Sequence, residues 1–169
     1  MATTAYLTLK GQRQGDSLGS VTLPNHESSI LVHSYTTEID SLYDPGSGQA
    51  LGKFVHNPVV ILKELDASSP LLWTALAGNE VFVNWALAFW TPSQDANGAA
   101  TETQIYTIRL TNASISSIQE FLPDSRDAAT PNYPVQQQIS FSYQKIEWIW
   151  TDGEVTAQDS WQLLSSRQP

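Results

Sequence analysis

The chain has 169 residues, no cysteine and a formal net charge of −9 from 8 basic and 17 acidic side chains. That length suits a single domain with a sizeable core, and the missing thiols exclude disulfides, a thiolate nucleophile and cysteine-ligated zinc. The eight cations are scattered from Lys10 to Arg167 and form no basic stripe for a phosphate backbone. No apolar run approaches the roughly 20 residues of a membrane span, so neither nucleic acid nor membrane insertion is expected.

Six Trp and six Tyr against one Met point to a β-rich fold, because aromatic rings suit pleated, half-buried surfaces. The opening Met-Ala-Thr-Thr-Ala lacks the basic and apolar regions of a secretory signal. Export, where it occurs, is expected to use a route that reads no cleavable signal. Tyr6, Leu7 and Leu9 begin a short strand that ends in the Gly-rich segment 11–19. A second strand runs over Ser28–Tyr35. There Leu31, His33 and Tyr35 share one face, and Ser28, Ile30, Val32 and Ser34 the other. The bulkier set is expected to pack inward, near Phe141 and Tyr143.

Residues 40–52 form a long loop holding Tyr43, Asp44, Pro45, Gly46, Ser47 and Gly48. Pro fixes φ and Gly permits positive φ, which is strong turn chemistry, and ordered loops of this length are often functional. Lys53–Leu65 reads as one strand, with Pro58 marking an edge, a start or a bulge. A short helix follows, with Ser69 as its cap and Pro70 at its first position. Gly78 is expected to supply a left-handed stop.

Further strands fall at Val81–Trp90, Gln104–Leu110 and Ala113–Phe121, and 122–134 is a second long loop. The stretch from Ile139 to Trp150 alternates with Ile139, Phe141 and Tyr143 apolar, then flips so that Ile146, Trp148 and Trp150 are apolar. A one-residue shift exchanges the two faces of a strand, so either a bulge lies near Gln144–Lys145 or the strand serves two surfaces in turn. Thr151–Glu154 offers an Asp-Gly turn into a last strand, Val155–Trp161, and the tail 162–169 is expected to fray. Core and tail make one domain over 1–169, its core about 5–161, in a barrel or sandwich.

No catalytic constellation emerges. His26, His33 and His56 lack metal-ligand spacing, and a structural imidazole is the expected role of His33. Glu64 and Asp66 flank the helix entry, where carboxylates complement the helix terminus. Glu147 would need a second placed carboxylate to act on glycosides. No nucleophile elbow or phosphate loop is present, so neither enzyme activity nor a cofactor or metal is expected.

Lys53–Leu72, as K-x-V-H-x-P-V-V-I-x-K-E-L-D-A-S-S-P-x-L, precedes Q-K-I-E-W at Gln144–Trp148. Asp152-Gly153 and Asp159-Ser160-Trp161 follow, and Tyr6-Leu-x-Leu opens the chain. Together these closely resemble the Hcp family, the tube protein of type VI secretion systems. The resemblance implies a mainly β fold: two antiparallel sheets, eight or nine strands, in a barrel-like sandwich with one short flanking helix. It also implies a homo-hexameric ring and stacked rings inside a contractile sheath with a spike protein at the tip. Effector proteins would travel in the lumen. The protein would be cytoplasmic before firing and secreted afterwards. On that expectation the 43–48 segment contacts a neighbouring copy, and Ser28, Ile30, Val32 and Ser34 face the lumen. A monomeric β-sandwich carbohydrate-binding module is the alternative.

Overall fold

The structure, a computed structural model, describes residues 3–129 and 132–160. The chain opens with β1 (Thr4–Gly11) and the two-residue β2 (Gly15–Asp16), then β3 (Ile30–Val32) and β4 (Ser34–Thr36). Next come β5 (Ile39–Tyr43), β6 (Ala50–His56), β7 (Val59–Glu64) and helix α1 (Ser69–Ala77). The second half holds β8 (Phe82–Gln94), β9 (Ala100–Thr111), β10 (Ser114–Phe121), β11 (Gln136–Ser142), β12 (Lys145–Trp150) and β13 (Val155–Ser160).

The strands form a seven-stranded sheet, β13-β12-β9-β8-β1-β2 with β3 also on β1, and a four-stranded sheet, β10-β11-β7-β4. All pairing is antiparallel. The two sheets pack as the expected sandwich, with one helix beside them. A third unit, the two-stranded β5-β6 sheet, pairs with neither.

Each sheet buries one face, as period-two strands require. Leu7, Ile30, Leu87 and Ile108 from the large sheet meet Val59, Ile61, Ile139 and Phe141 from the small one, all within 1% of full burial. Phe141 makes tilted edge contacts with Trp85 at 5.4 Å and Phe82 at 6.0 Å between centroids.

Three stretches that read as single strands each divide between surfaces. β11 lies in the small sheet and β12 in the large one, so the parity flip after Tyr143 marks a change of sheet rather than a bulge. β6 and β7 part at Asn57–Pro58, where proline cannot donate a ladder hydrogen bond. β3 and β4 part at His33, β3 pairing with β1 and β4 with β7.

That last break corrects the facing of Ser28–Tyr35. Ala5↔Val32 and Leu7↔Ile30 are register partners, and Ile30 and Val32 are only 0% and 5% exposed in the core. They cannot face a channel. Leu31 is exposed, and Tyr35 packs on Phe89 at 4.9 Å. Ser34, past the bend, is exposed. Ser28 belongs to a strap, residues 18–29, that folds over the large sheet. Gly19 is required in that strap because a Cβ there would lie 2.2 Å from the Ser29 carbonyl oxygen.

The helix entry also differs from its expected cap. Ser68 holds the N-cap position and makes no capping bond through its side chain. The Ser69 hydroxyl instead bonds the Asp66 amide and the Lys63 ammonium, both at 3.0 Å. Gly78 takes φ −90°, and the left-handed residue is Asn79 at φ 48°. The β12–β13 connection spans 151–154, with positive φ at Gly153 and Glu154 rather than at Asp152. Trp161 and the tail 162–169 lie outside the described residues.

Ile30→Ala is expected to cost about 2–5 kcal/mol of stability, while Ser34→Glu stays within about 0.5 kcal/mol of the parent. Urea unfolding of both variants measures this. A Ser34→Glu loss as large as that of Ile30→Ala would place Ser34 in the core.

Candidate assembly surface

The β5-β6 hairpin is an arm. An isolated two-stranded hairpin is marginal in water, and this one pairs with no other strand among the described residues. Its exposed apolar side chains include Leu42, Tyr43, Leu51, Phe54 and Val55. Ser41↔Phe54 and Asp40↔Val55 are adjacent register pairs, so Phe54 and Val55 point to opposite faces. Both faces of the arm therefore expose apolar side chains.

The arm holds its shape at both ends. At the tip, Asp44 accepts hydrogen bonds from the Gly46 amide at 2.9 Å and the Ser47 hydroxyl at 2.8 Å. The Gly46 amide first, and then Ser47, keep the Asp44 carboxyl below its ordinary range. The Asp44 amide donates to the Gln49 carbonyl at 2.8 Å, and Gly48 turns the chain at φ 71°. Tyr43 therefore ends a strand, and Asp44, Pro45, Gly46, Ser47 and Gly48 form the tip rather than a loop spanning 40–52.

At the root, His56 is buried with Nδ1 3.2 Å from the Tyr143 hydroxyl and Nε2 3.5 Å from Asp159. Asn57 donates its amide to Glu38 at 3.1 Å and its side chain to Asp40 at 2.9 Å. Burial, and then the charge of Asp159, push the Tyr143 hydroxyl up to about 12. These contacts join β6, β11–β12 and β13. They were not legible in the chain because His56, Tyr143 and Asp159 are far apart in sequence.

The second surface is the bare face of the four-stranded sheet. Its rungs follow from register: Ser34, Leu62, Gln138 and Gln119 in one row, Thr36, Val60, Ser140 and Ser117 in the next. Six of those eight side chains are neutral hydroxyls or amides, with Val60 and Leu62 between them. At its margin His33 Nε2 lies 3.2 Å from Glu64. The outer edges of β4 and β10 pair with nothing among the described residues. Of the residues expected to line a lumen, only Ser34 is on this face; the polar positions of β11 were the signal for the rest.

The remaining candidates are engaged elsewhere. Among the described residues no His, Asp and Glu group could hold a metal ion. His33 is half-exposed, whereas His26 is buried, stacked on Tyr6 at 4.1 Å and 2.9 Å from Glu102. Glu64 and Asp66 border one groove beside the strap, but Asp66 bonds Lys63 at 2.9 Å and Glu64 holds His33. Glu147 pairs with Lys145 at 3.0 Å on the far sheet.

The family profile described as "Type VI secretion system effector, Hcp" matches residues 6–150. The Major exported protein of Pseudomonas aeruginosa is 31% identical over 170 residues, covering 95% of this chain and 96% of that protein. A crystal structure of an Hcp protein superposes with a TM-score of 0.82 at 23% identity, covering 95% of this chain and 98% of that one. The Hcp1 protein from the E. coli EAEC 042 pathovar gives 0.78 at 26% identity, covering 95% and 99%.

Tyr143 carries a pH prediction. Its folded pKa stands above the unfolded value of about 10, so the unfolded chain releases that proton first and stability falls as pH rises from 10 towards 12. Urea unfolding between pH 9 and 12 is expected to show this fall in the parent and a shallower one in Tyr143→Phe. An equal slope in both would remove Tyr143 as its source.

Proposed function

This chain belongs to the Hcp family of type VI secretion proteins, and we propose that six copies close into a ring walled by the bare face of the four-stranded sheet. One observation carries this reading. A small sheet whose outer edges pair with nothing among the described residues presents a mostly neutral hydroxyl and amide face and does not bury it. Exposed edges invite pairing with other chains, and a closed ring removes them by joining β4 of one copy to β10 of the next.

In that ring Ser34 faces the channel with Gln138, Ser140 and Gln119, and the wall contacts effector proteins through hydrogen bonds. Rings stack through the arm into a tube within a contractile sheath, under a spike protein. The subunit assembles in the cytoplasm and leaves the cell when the machine fires. The reading needs no enzyme chemistry and no cofactor. A carbohydrate-binding module would instead want a row of exposed rings on one sheet face. The rings that do adjoin one another, Tyr35, Phe89, Tyr106 and Trp150 at 4.9, 5.7 and 6.4 Å between centroids, are interrupted by Phe89, which is buried.

Native mass spectrometry at micromolar concentration is expected to find a species of six times the 18.6 kDa chain. A stable monomer with nothing larger would overturn the ring. Replacing residues 41–51 with a short Gly-Ser link is expected to leave that mass unchanged while stacked tubes disappear from electron micrographs. Tubes that persist would deny the arm its role.

A further inference from the structure

The last described residues come up beside the arm's root. Asp159 pairs with Ile146 and Ser160 with Lys145 at the close of β13, and the Asp159 carboxylate lies 3.5 Å from His56 Nε2 at the end of β6. The chain therefore reaches Ser160 on the side of the arm towards which His56 points. Phe54, two residues back along β6, shares that side, and so do Ile39 and Ser41, the register partners of His56 and Phe54. Ile39 packs against the core and His56 is buried, but Phe54 is 38% exposed. Beside its ring Ser41 is small and Gly52 has no side chain, and a Cβ at Gly52 would meet nothing within 4 Å. This face is closed at its root and open in its middle.

Residues 161–169 lie outside the described residues, and their composition suits the open part. They read W-Q-L-L-S-S-R-Q-P, with Trp161, Leu163 and Leu164 apolar and Arg167 the one charged side chain. An extended run of that length reaches about 30 Å, against about 23 Å for the seven residues of β6. Arg167 is as many residues beyond Ser160 as β6 is long, which brings an extended run level with the tip. There the Gly46 amide and then Ser47 keep Asp44 ionised, so the charges are complementary. A two-stranded hairpin also needs a third strand or a packed layer for stability, and the chain's own continuation starts at its root.

We propose that residues 161–164 seat on the Phe54 face of the arm of their own chain, with Leu163 and Leu164 against Phe54 and Arg167 near Asp44. The opposite face, which carries Val55, stays open. This goes beyond the ring reading and does not depend on it, because the contact lies within one chain. It decides which side of the arm is left for any other molecule.

The absence of cysteine allows disulfide trapping in the full chain. Ser41→Cys is combined with Leu163→Cys and, separately, with Leu164→Cys. Val55→Cys, on the opposite face, replaces Ser41→Cys in two matched controls. After oxidation with diamide, mass spectrometry distinguishes a disulfide within one chain from one between copies. Intrachain disulfides are expected as the main product in at least one Ser41 pair and as a minor one in both Val55 pairs. Disulfides between copies in their place, equal yields on the two faces, or none with Ser41→Cys would overturn the proposal. Native masses of the reduced proteins report the ring separately. In addition, Leu163→Asp with Leu164→Asp is expected to raise the fluorescence of a dye that binds apolar surface, and adding Phe54→Ser is expected to cancel that rise. No rise, or one that persists without Phe54, would count against this face.

Discussion

Phe141 is the point on which the two sheets close. Its ring has no exposure and meets Trp85 and Phe82 of the opposite sheet edge-on, an arrangement the ring quadrupole favours over face-to-face stacking. Burying one such side chain is worth about 1.5–3 kcal/mol, and the residues around it repeat the gain on both layers. Because each sheet commits one face to this contact, each is left with a second face for water or another molecule. The chain must also cross between layers without breaking the core. It does so at Tyr143–Gln144, where the Tyr143 ring stays buried and its hydroxyl reaches the arm's root. Closure of the core and placement of the arm thus share a residue.

Much of this was legible. The parity change between Tyr143 and Ile146 is visible in the letters, and so is the proline that ends β6. What the letters lack is the absolute phase of an alternation. Over Ser28–Tyr35 the larger residues Leu31, His33 and Tyr35 invite an inward reading. Register with β1 decides otherwise, because Leu7 and Ala5 need partners on their own face and Ile30 and Val32 lie opposite them. The bend at His33 then resets the count, so Ile30 and Ser34, both even-numbered, end up on different sheets and facing different ways. Side-chain size could not have chosen between the phases, and a partner strand could.

The same limit hid the polar interior. Lys63 follows Val59 and Ile61 at period two and is as buried as they are, with no exposure. Its ammonium bonds Asp66 at 2.9 Å, the Glu64 carbonyl at 2.7 Å, Ser69 at 3.0 Å and Gln137 at 3.3 Å. Burial is the main influence lowering its pKa, and Asp66 works against it. A charge so placed is tolerated only when its donors are all met. Here that requirement fixes Asp66 and Ser69, and with them the first turn of α1. The helix is held at its start by a lysine of the neighbouring strand, which no rule about capping residues would select.

Two features would be liabilities in a solitary molecule: the outer edges of the small sheet, which pair with nothing among the described residues, and a hairpin that joins no third strand among them. Monomers blunt such edges with short strands, bulges or covering helices; β4 is three residues long, and β10 carries a register shift at Ile115–Ser117 and lies beside α1. Their arrangement is ordered all the same. The edges flank the sheet laterally, while the arm leaves it at one end of the strands. Lateral pairing through two different edges can close into a ring. The proposed ring would use the lateral edges and leave the arm free for a contact along the other axis, so no single feature supplies both.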